Sequence, residues 1–541
     1  MLGKFGVVNS KHRESTCAEI CRAAFLLMIA IPLYGSQPWA EKVECCAEAR
    51  AFLRRIRPEH PISVGNHLFI DDGNVAALDR ITRTLHRPAK VGTVIRADEP
   101  WEGTIQTRTG PSWDPDAKRW MIWYFASGGT AYATSKDGIQ WHKPILGIRE
   151  YKGSKENNLL GESLSFVFYD ATESNPAYRY KAMAEKSNHP VGVAGFVPAV
   201  SPDGLHWTLL SDSFIPSQDE ANLYYDRDNH LFIFTVKHPG PYGRSVYLAL
   251  SRDFQHWTDP QDCLIFHADH EDQELGRDWI SRRFSDSTMQ RPEYNIPQEY
   301  SVQVYNMAVF HYDDLYLGLP AMFHQTGRVS KDWDGFDRLK LSADVSRDVH
   351  LYGDWTGFHH LQLLVSRNLI DWERVGSRQP FIDASPVDTG AYDLQVIMPG
   401  SSPIVREDEI WFYYSGIRHY AYITSDLPDQ GGICLAKLRR DGFVSLDAED
   451  DVGTVLTKPV VVKGKLQVNI DASKGELRCE VVDPSTRSIL PGYSLENSTP
   501  VRGDYVTTEL QWHGKTIAQL SGRTVQLRFR LHNARLYSFR L

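Results

Sequence analysis

The sequence predicts an all-β chain: a five-bladed β-propeller followed by a small antiparallel β-sandwich. Two repeated patterns and one change of character predict it. The first pattern, Ser-x-Asp/Asn-x-x-x-Trp, occurs as Ser135 to Trp141, Ser201 to Trp207, Ser251 to Trp257 and Ser366 to Trp372. The second is an aromatic followed by Asp, at Trp113-Asp114, Tyr169-Asp170, Tyr225-Asp226 and Tyr312-Asp313, each ahead of an aromatic-rich strand. A looser fifth unit runs from Ile404-Val405 through the strand Ile410 to Tyr414 and closes on Asp441-Gly442-Phe443. Strand repeats at this period are the signature of propeller blades. From about Thr454 the period is lost. Short alternating runs (Leu466 to Ile470, Leu477 to Val482, Val525 to Leu531) are cut by Asp-Pro, Pro-Gly and Gly-Asp turns, the pattern of a sandwich.

Each element follows from local chemistry. Asp-Gly, at the third and fourth places of two copies, is a tight-turn pair: Gly takes positive φ and Asp caps its own backbone. The Trp that follows is large enough to fill a seam between blades. Blade one covers roughly Trp101 to Lys143, blade two Glu162 to Leu209, and blade three Asp219 to Thr258. Blade four is interrupted, running from Val302 to Met322 and again from Leu361 to Trp372; blade five spans Val396 to Leu446. The charged stretch His267 to Gln298 breaks the period and reads as a long loop over one face. The final Leu536 to Leu541 alternates to the last residue and reads as a paired strand.

At the N-terminus, basic residues from Lys4 to Arg22 precede an apolar run, Ala23 to Leu33, and small residues near Ala40. That order predicts a secretory signal over residues 1–40, with a run too short to span a bilayer. Glu41 to Arg57 reads as a short charged helix stopped by Pro58. Leu68 to Asp72 reads as a strand entering a turn, and Thr82 to Val94 leads towards the propeller. The division is therefore 1–40 signal, 41–95 helix and lead-in, 96–450 propeller and 451–541 sandwich.

A chain of 541 residues can hold large cores, and its net charge of −9 argues against nucleic acid or an anionic membrane as partner. Its 11% aromatic residues, combined with acids, suit carbohydrate, because rings stack on sugar faces and carboxylates grip hydroxyls. The seven cysteines include no Cys-x-x-Cys pair, and adjacent Cys45-Cys46 makes an unlikely internal disulfide. No cofactor and no metal are expected.

Innermost strands of a propeller begin around its channel. In the repeat frame, seven residues before Asp226 lies Asp219, followed by Glu220, which makes these the best-placed acids. The same slot holds Thr107, beside Arg108, in blade one; Ser163, beside Glu162, in blade two; and Asn306 in blade four. Glu102, beside Trp101 and bracketed by Pro100 and Gly103, fits a general acid, and Asp393, ahead of the blade-five strand, is the reserve partner. An exposed turn is the plainer reading of each. Trp101, His86, Arg108, Asn222 and Tyr305 are the expected substrate contacts, and one of His359-His360 is placed to face the channel. His267 to Asp272 has the composition of a metal-binding run or of hydrated surface.

These repeats resemble the five-bladed glycoside hydrolases and related phosphorylases: arabinanases and xylosidases, invertases and levansucrases, mannoside phosphorylases. More closely, Leu68 to Asp72, Thr84 to Pro88, Pro100 to Gly103, Tyr132 to Trp141, Gly153 to Asn158, Arg440 to Leu446 and Leu536 to Phe539 resemble exported glycosidase-like proteins of planctomycete-type bacteria. The resemblance implies glycan cleavage by three channel acids, from blades one, two and three. Here blade one offers Thr107 or Arg108, blade two Glu162, and only blade three keeps acids. A glycoside hydrolase is the reading; a non-catalytic sugar-binding propeller is the rival. A phosphorylase would need Arg83, His86 and Arg108 as a phosphate cluster.

Overall fold

The computed structural model describes residues 46–56, 65–186 and 194–541. The expected signal segment lies outside them. Five antiparallel sheets form the blades. Blade one holds Ser112–Asp114, Arg119–Ala126, Gly129–Ser135 and Trp141–His142; blade two is built on Ser165–Tyr169, Tyr180–Lys186 and Gly195–Ser201. Blade three holds Ala221–Asp226, Leu231–Gly240, Gly243–Ser251 and Leu264–Phe266. Blade four holds Ser301–Tyr312, Leu315–Val329, Asp354–Leu361, Leu364–Ser366 and Glu373–Arg374, and blade five is built on Val396–Pro399, Glu409–Ile417 and Gly431–Arg439.

The ring closes by a strand exchange. Ala89–Arg96, from before blade one, pairs with Gly431–Arg439 as the outermost strand of blade five. Lys90 of this strand ion-pairs with buried Asp393 at 2.7 Å. The ring thus cannot open without unzipping a sheet.

The Ser-x-Asp turns repeat atom for atom. Ser135 Oγ accepts from Gly138 N at 2.9 Å, Asp137 Oδ1 from Ile139 N and Gln140 N at 2.8 Å, and Trp141 Nε1 donates to Gly138 O at 3.2 Å. The fourth place has positive φ in every copy: +79° at Gly138, +76° at Gly204, +65° at Phe254 and +67° at Leu369. Glycine takes this conformation freely, while other residues strain by about 1–2 kcal/mol. Phe254 and Leu369 offset that strain by complete burial. The turn carbonyls also join blades: Tyr413 of blade five donates to Gly138 O at 2.6 Å and Trp123 of blade one to Gly204 O at 2.9 Å.

The period-breaking stretch is not a loop throughout. It holds the helix His270–Ser285, started by a capping box in which Asp269 and Asp272 bond each other's backbone. Both acids also pair with Arg378. The His267 to Asp272 run is therefore a helix start braced by arginine. A second helix, Ala343–Tyr352, fills the interruption of blade four.

The N-terminal strands Asn66–Leu68, Val75–Asp79 and Thr82–Leu85 belong to the sandwich sheet, together with Val444–Ala448 and the C-terminal strands. Ala534–Arg540 pairs with Asn66–Leu68, with Val444–Ala448 and with Gln467–Val482, so the last strand lies inside the sheet. Asp441 docks the layers, accepting from Tyr312 of blade four at 2.6 Å and from Ser538 at 2.8 Å. The helix Ala47–Ile56 is tied to blade three by a Cys46–Cys263 disulfide, a pairing not legible from the adjacent cysteines.

Phe539 is fully buried. Phe539→Ala should cost about 3–5 kcal/mol in urea unfolding. A change under about 1 kcal/mol would show that the terminal strand is dispensable.

Candidate active site

Asp219 and Glu220 stand at the start of the innermost strand of blade three. Ile215–Pro216 pairs with Gly195 and Phe196 of blade two, which fixes the chain just before them. Ser217 then folds the turn: its Oγ donates to Glu220 O at 3.0 Å and accepts from Lys237 N at 3.1 Å. Both acids line a cavity with about 860 Å³ of empty space. Its walls are mostly apolar, with Phe125, Phe166, Phe196, Met398, Tyr305 and Tyr420 among them.

Each acid faces a buried cation. Arg108 grips Glu220 with two nitrogens, Nε at 2.7 Å from Oε2 and Nη2 on Oε1. Burial alone would lower the Arg108 guanidinium, but Glu220 beside it raises it overall. Asp219 ion-pairs with Lys237, whose ammonium lies 4.2 Å from the Tyr305 ring centre. Burial outweighs the pull of Asp219 and lowers the Lys237 ammonium. Asp219 Oδ2 is buried and has no hydrogen-bond partner among the described residues. It is the carboxylate oxygen left for a ligand.

Asn222 lies on the same strand but turns to the axis, donating to Arg108 O at 3.2 Å and Pro399 O at 3.1 Å. It bonds blades one and five across the channel and does not line the cavity. Thr107, in the blade-one slot, bonds Ser415 and Thr109 instead.

The other expected residues are elsewhere. Glu102 is fully buried and saturated: Oε2 accepts from Asp98 N and Glu99 N at 3.0 Å and pairs with Lys143 at 2.7 Å, while Oε1 accepts from Tyr124 at 2.7 Å. It does not line the cavity. Trp101 belongs to the same brace, donating to Asn158 at 2.7 Å, and Asn158 donates to Tyr124 at 2.9 Å. Asp393 is spent on Lys90 and on Tyr414, which donates to it at 2.9 Å. His86 sits in the sandwich against Ser445 at 2.7 Å, and Arg83 pairs with Asp72 at 2.6 Å. Neither joins Arg108, so the phosphate cluster does not form.

Glu185, at the end of a blade-two strand, is a third carboxylate in the cavity wall. Its signal in the sequence is the single acid of the strand Tyr180–Lys186, which also carries Lys181 and Lys186. Blade two thus offers Glu185 in the cavity wall rather than Glu162. His359 packs against Tyr305, Phe323 and Tyr420, while neighbouring His360 turns the other way onto Trp279 and His324. Among the described residues, one group of possible metal ligands has donor atoms within 4.8 Å of one another: Asp226, Asp228 and His311. Asp226 there already accepts from Asn229 and Tyr316 at 2.7 Å.

No family model matches the chain, and no curated protein matches it. Solved structures similar to it include an N-acetylgalactosamine deacetylase from F. plautii in complex with blood group B trisaccharide, at 14% identity and TM-score 0.38 over 68% of this chain and 97% of that one. A putative glycoside hydrolase from Parabacteroides distasonis matches at 15% and 0.35, covering 66% and 97%. A fructofuranosidase from Schwanniomyces occidentalis matches at 10% and 0.35, covering 85% and 98%. Likeness at this level assigns no activity.

Burial holds His360 down to about 3 and His324 well below its ordinary value. Unfolded, each takes its proton near pH 6.5, whereas the folded protein does not until far lower. Stability should therefore fall below pH 6.5, by about 1.4 kcal/mol per pH unit for each of them. His324→Gln should show a shallower decline of the urea midpoint between pH 6.5 and 5. An unchanged slope would assign the acid sensitivity to other groups.

Proposed function

We propose that this propeller is a carbohydrate-active protein of the glycoside-hydrolase type, binding sugar in the cavity at its channel mouth. One observation carries the reading: three carboxylates, Asp219, Glu220 and Glu185, share a cavity walled by aromatic rings, and one Asp219 oxygen is unsatisfied. Glycoside cleavage requires two carboxyl groups flanking the bond, one giving a proton and one ionised. Asp219 takes the ionised role, fixed beside Lys237 with Oδ2 towards the ligand. Glu185 takes the proton-donor role. Glu220, gripped by Arg108, positions the strand and the cavity wall. Phe166 and Phe196 in the wall supply apolar surface for the apolar face of a sugar, while the Tyr305 ring is taken up by Lys237.

The test is release of reducing ends from a glycan panel. Asp219→Asn and Glu185→Gln should each lower turnover by about a hundredfold or more. Glu102→Gln should destabilise the fold yet leave the turnover of folded protein near wild type. Wild-type turnover in both cavity variants would remove the assignment.

A second reading has its own support. Both Asp219 and Glu220 are paired with buried cations, an arrangement that also suits a sugar-binding propeller without chemistry. Calorimetric binding of sugars with no cleavage of any panel member would select it.

We also propose that the protein is exported. The basic-then-apolar N-terminus supports this, and so does the Cys46–Cys263 disulfide, since such bonds persist in oxidising compartments. The mature chain should begin within residues 36–41; mass spectrometry finding only intact Met1 protein in the cytoplasm would overturn it.

A further inference from the structure

A second, wider cavity adjoins the first. It has about 1410 Å³ of empty space and runs between the lead-in to blade one and the connection that follows Glu409–Ile417 in blade five. Gln106 and Ile417 line both cavities, so the two are adjacent and share these side chains as a wall. Gln106 is held at the junction by Arg108, whose Nη2 donates to it at 3.0 Å.

On the wall of this groove stands His419, and its orientation is fixed from behind. Its Nδ1 lies 3.0 Å from Glu293 Oε1. Glu293 comes from the segment that breaks the blade period. Its second oxygen accepts from Thr356 at 2.6 Å and from Gln395 at 3.1 Å. Burial pushes the Glu293 carboxyl up, but hydrogen bonds from His419, Thr356 and Gln395 hold it below the usual carboxylate range. An ionised carboxylate at 3.0 Å accepts a hydrogen bond from Nδ1–H, whereas the Gln290 amide at 3.4 Å offers only a donor there. The neutral ring is thereby held as the Nδ1–H tautomer, and Nε2 is left as an acceptor. A hydroxyl is the group such an acceptor reads.

The charge of the groove narrows the ligand further. Asp348, Asp426 and Asp429 line it, and no Lys or Arg does among the described residues. Asp348 is paired with Arg347 and Asp429 with Arg418, so the lining holds no cation among the described residues that a polyanionic chain could pair with.

We propose that this groove binds the sugar units adjoining the one in the central cavity, so that the ligand is an uncharged oligosaccharide read at His419. This rests on the carbohydrate reading above. Glu293 is a positioning residue, acting through His419.

Calorimetry would be run with neutral gluco-, manno-, galacto- and xylo-oligosaccharides of one to six units, and with oligogalacturonides of matched length. Affinity should rise at least tenfold between one and three neutral units and stay flat along the galacturonide series. His419→Ala should abolish the rise while leaving the monosaccharide affinity within about twofold. Glu293→Gln should reduce the rise and shift its pH dependence, a change that mere loss of packing does not produce. Thr104→Phe, which narrows the groove from the blade-one side, provides an independent variant should His419→Ala fail to fold. Monosaccharide binding with no gain from length, or a gain that survives both His419→Ala and Thr104→Phe, overturns the inference and leaves the central site standing. Failure of every sugar to bind overturns both.

Discussion

Five innermost strands converge on one axis, and the polar groups they turn towards one another must find partners there without water. An unpaired buried amide or carbonyl costs about 1–3 kcal/mol, so the axis is the most demanding place in the fold. Asn222 meets part of the demand: its amide nitrogen donates from blade three to carbonyls of blades one and five, while its Oδ1 has no partner among the described residues. Ser401 N donates to Arg108 O at 2.8 Å, Ser415 Oγ to Thr107 O at 2.8 Å, and Thr235 to Met307 O at 2.6 Å. The cavity opens where this polar plug ends. Arg108 belongs to both: its carbonyl is spent on the plug and its guanidinium on Glu220. The acids of the site are therefore held by the same residue that helps to close the axis.

Charge pairing at the cavity is costly to build. Taking an isolated ion out of water costs several kcal/mol, which close pairing and further hydrogen bonds must offset. Glu220 is offset fully by a two-point guanidinium contact, the strongest form of such pairing. Asp219 is offset on one oxygen only. That asymmetry separates a positioning acid from one that retains chemistry, although the two are adjacent in sequence. A buried, incompletely satisfied polar group in a cleft is a candidate for function.

The architecture was legible because blade turns are local. Ser135, Asp137 and Trp141 bond within seven residues, so their chemistry is written in their spacing, and the aromatic-Asp register then placed Asp219 and Glu220 at the channel. What could not be read depends on contacts far apart in sequence. Glu102 looked available because Lys143 and Tyr124, which saturate it, lie tens of residues away. Asp393 looked available because its partner Lys90 arrives on a strand from the far end of the propeller. His86 resembled a ligand contact, and only the pairing of Thr82–Leu85 with Val444–Ala448 shows that it serves the sandwich. Glu185 was hidden because it lies at the end of a blade-two strand, outside the repeat-frame slot. The helix His270–Ser285 was hidden because its mostly polar sequence lacks a clear apolar stripe, and its stability comes from a capping box and arginine pairs.

The most direct measurement is a crystal structure of Asp219→Asn protein soaked with an oligosaccharide that the wild type binds. The account predicts a sugar ring in the central cavity, stacked on the aromatic wall, with a hydroxyl or glycosidic oxygen within hydrogen-bond distance of the substituted side chain. A sugar bound only on the sandwich or on the outer faces of the blades, with the central cavity empty, would contradict it.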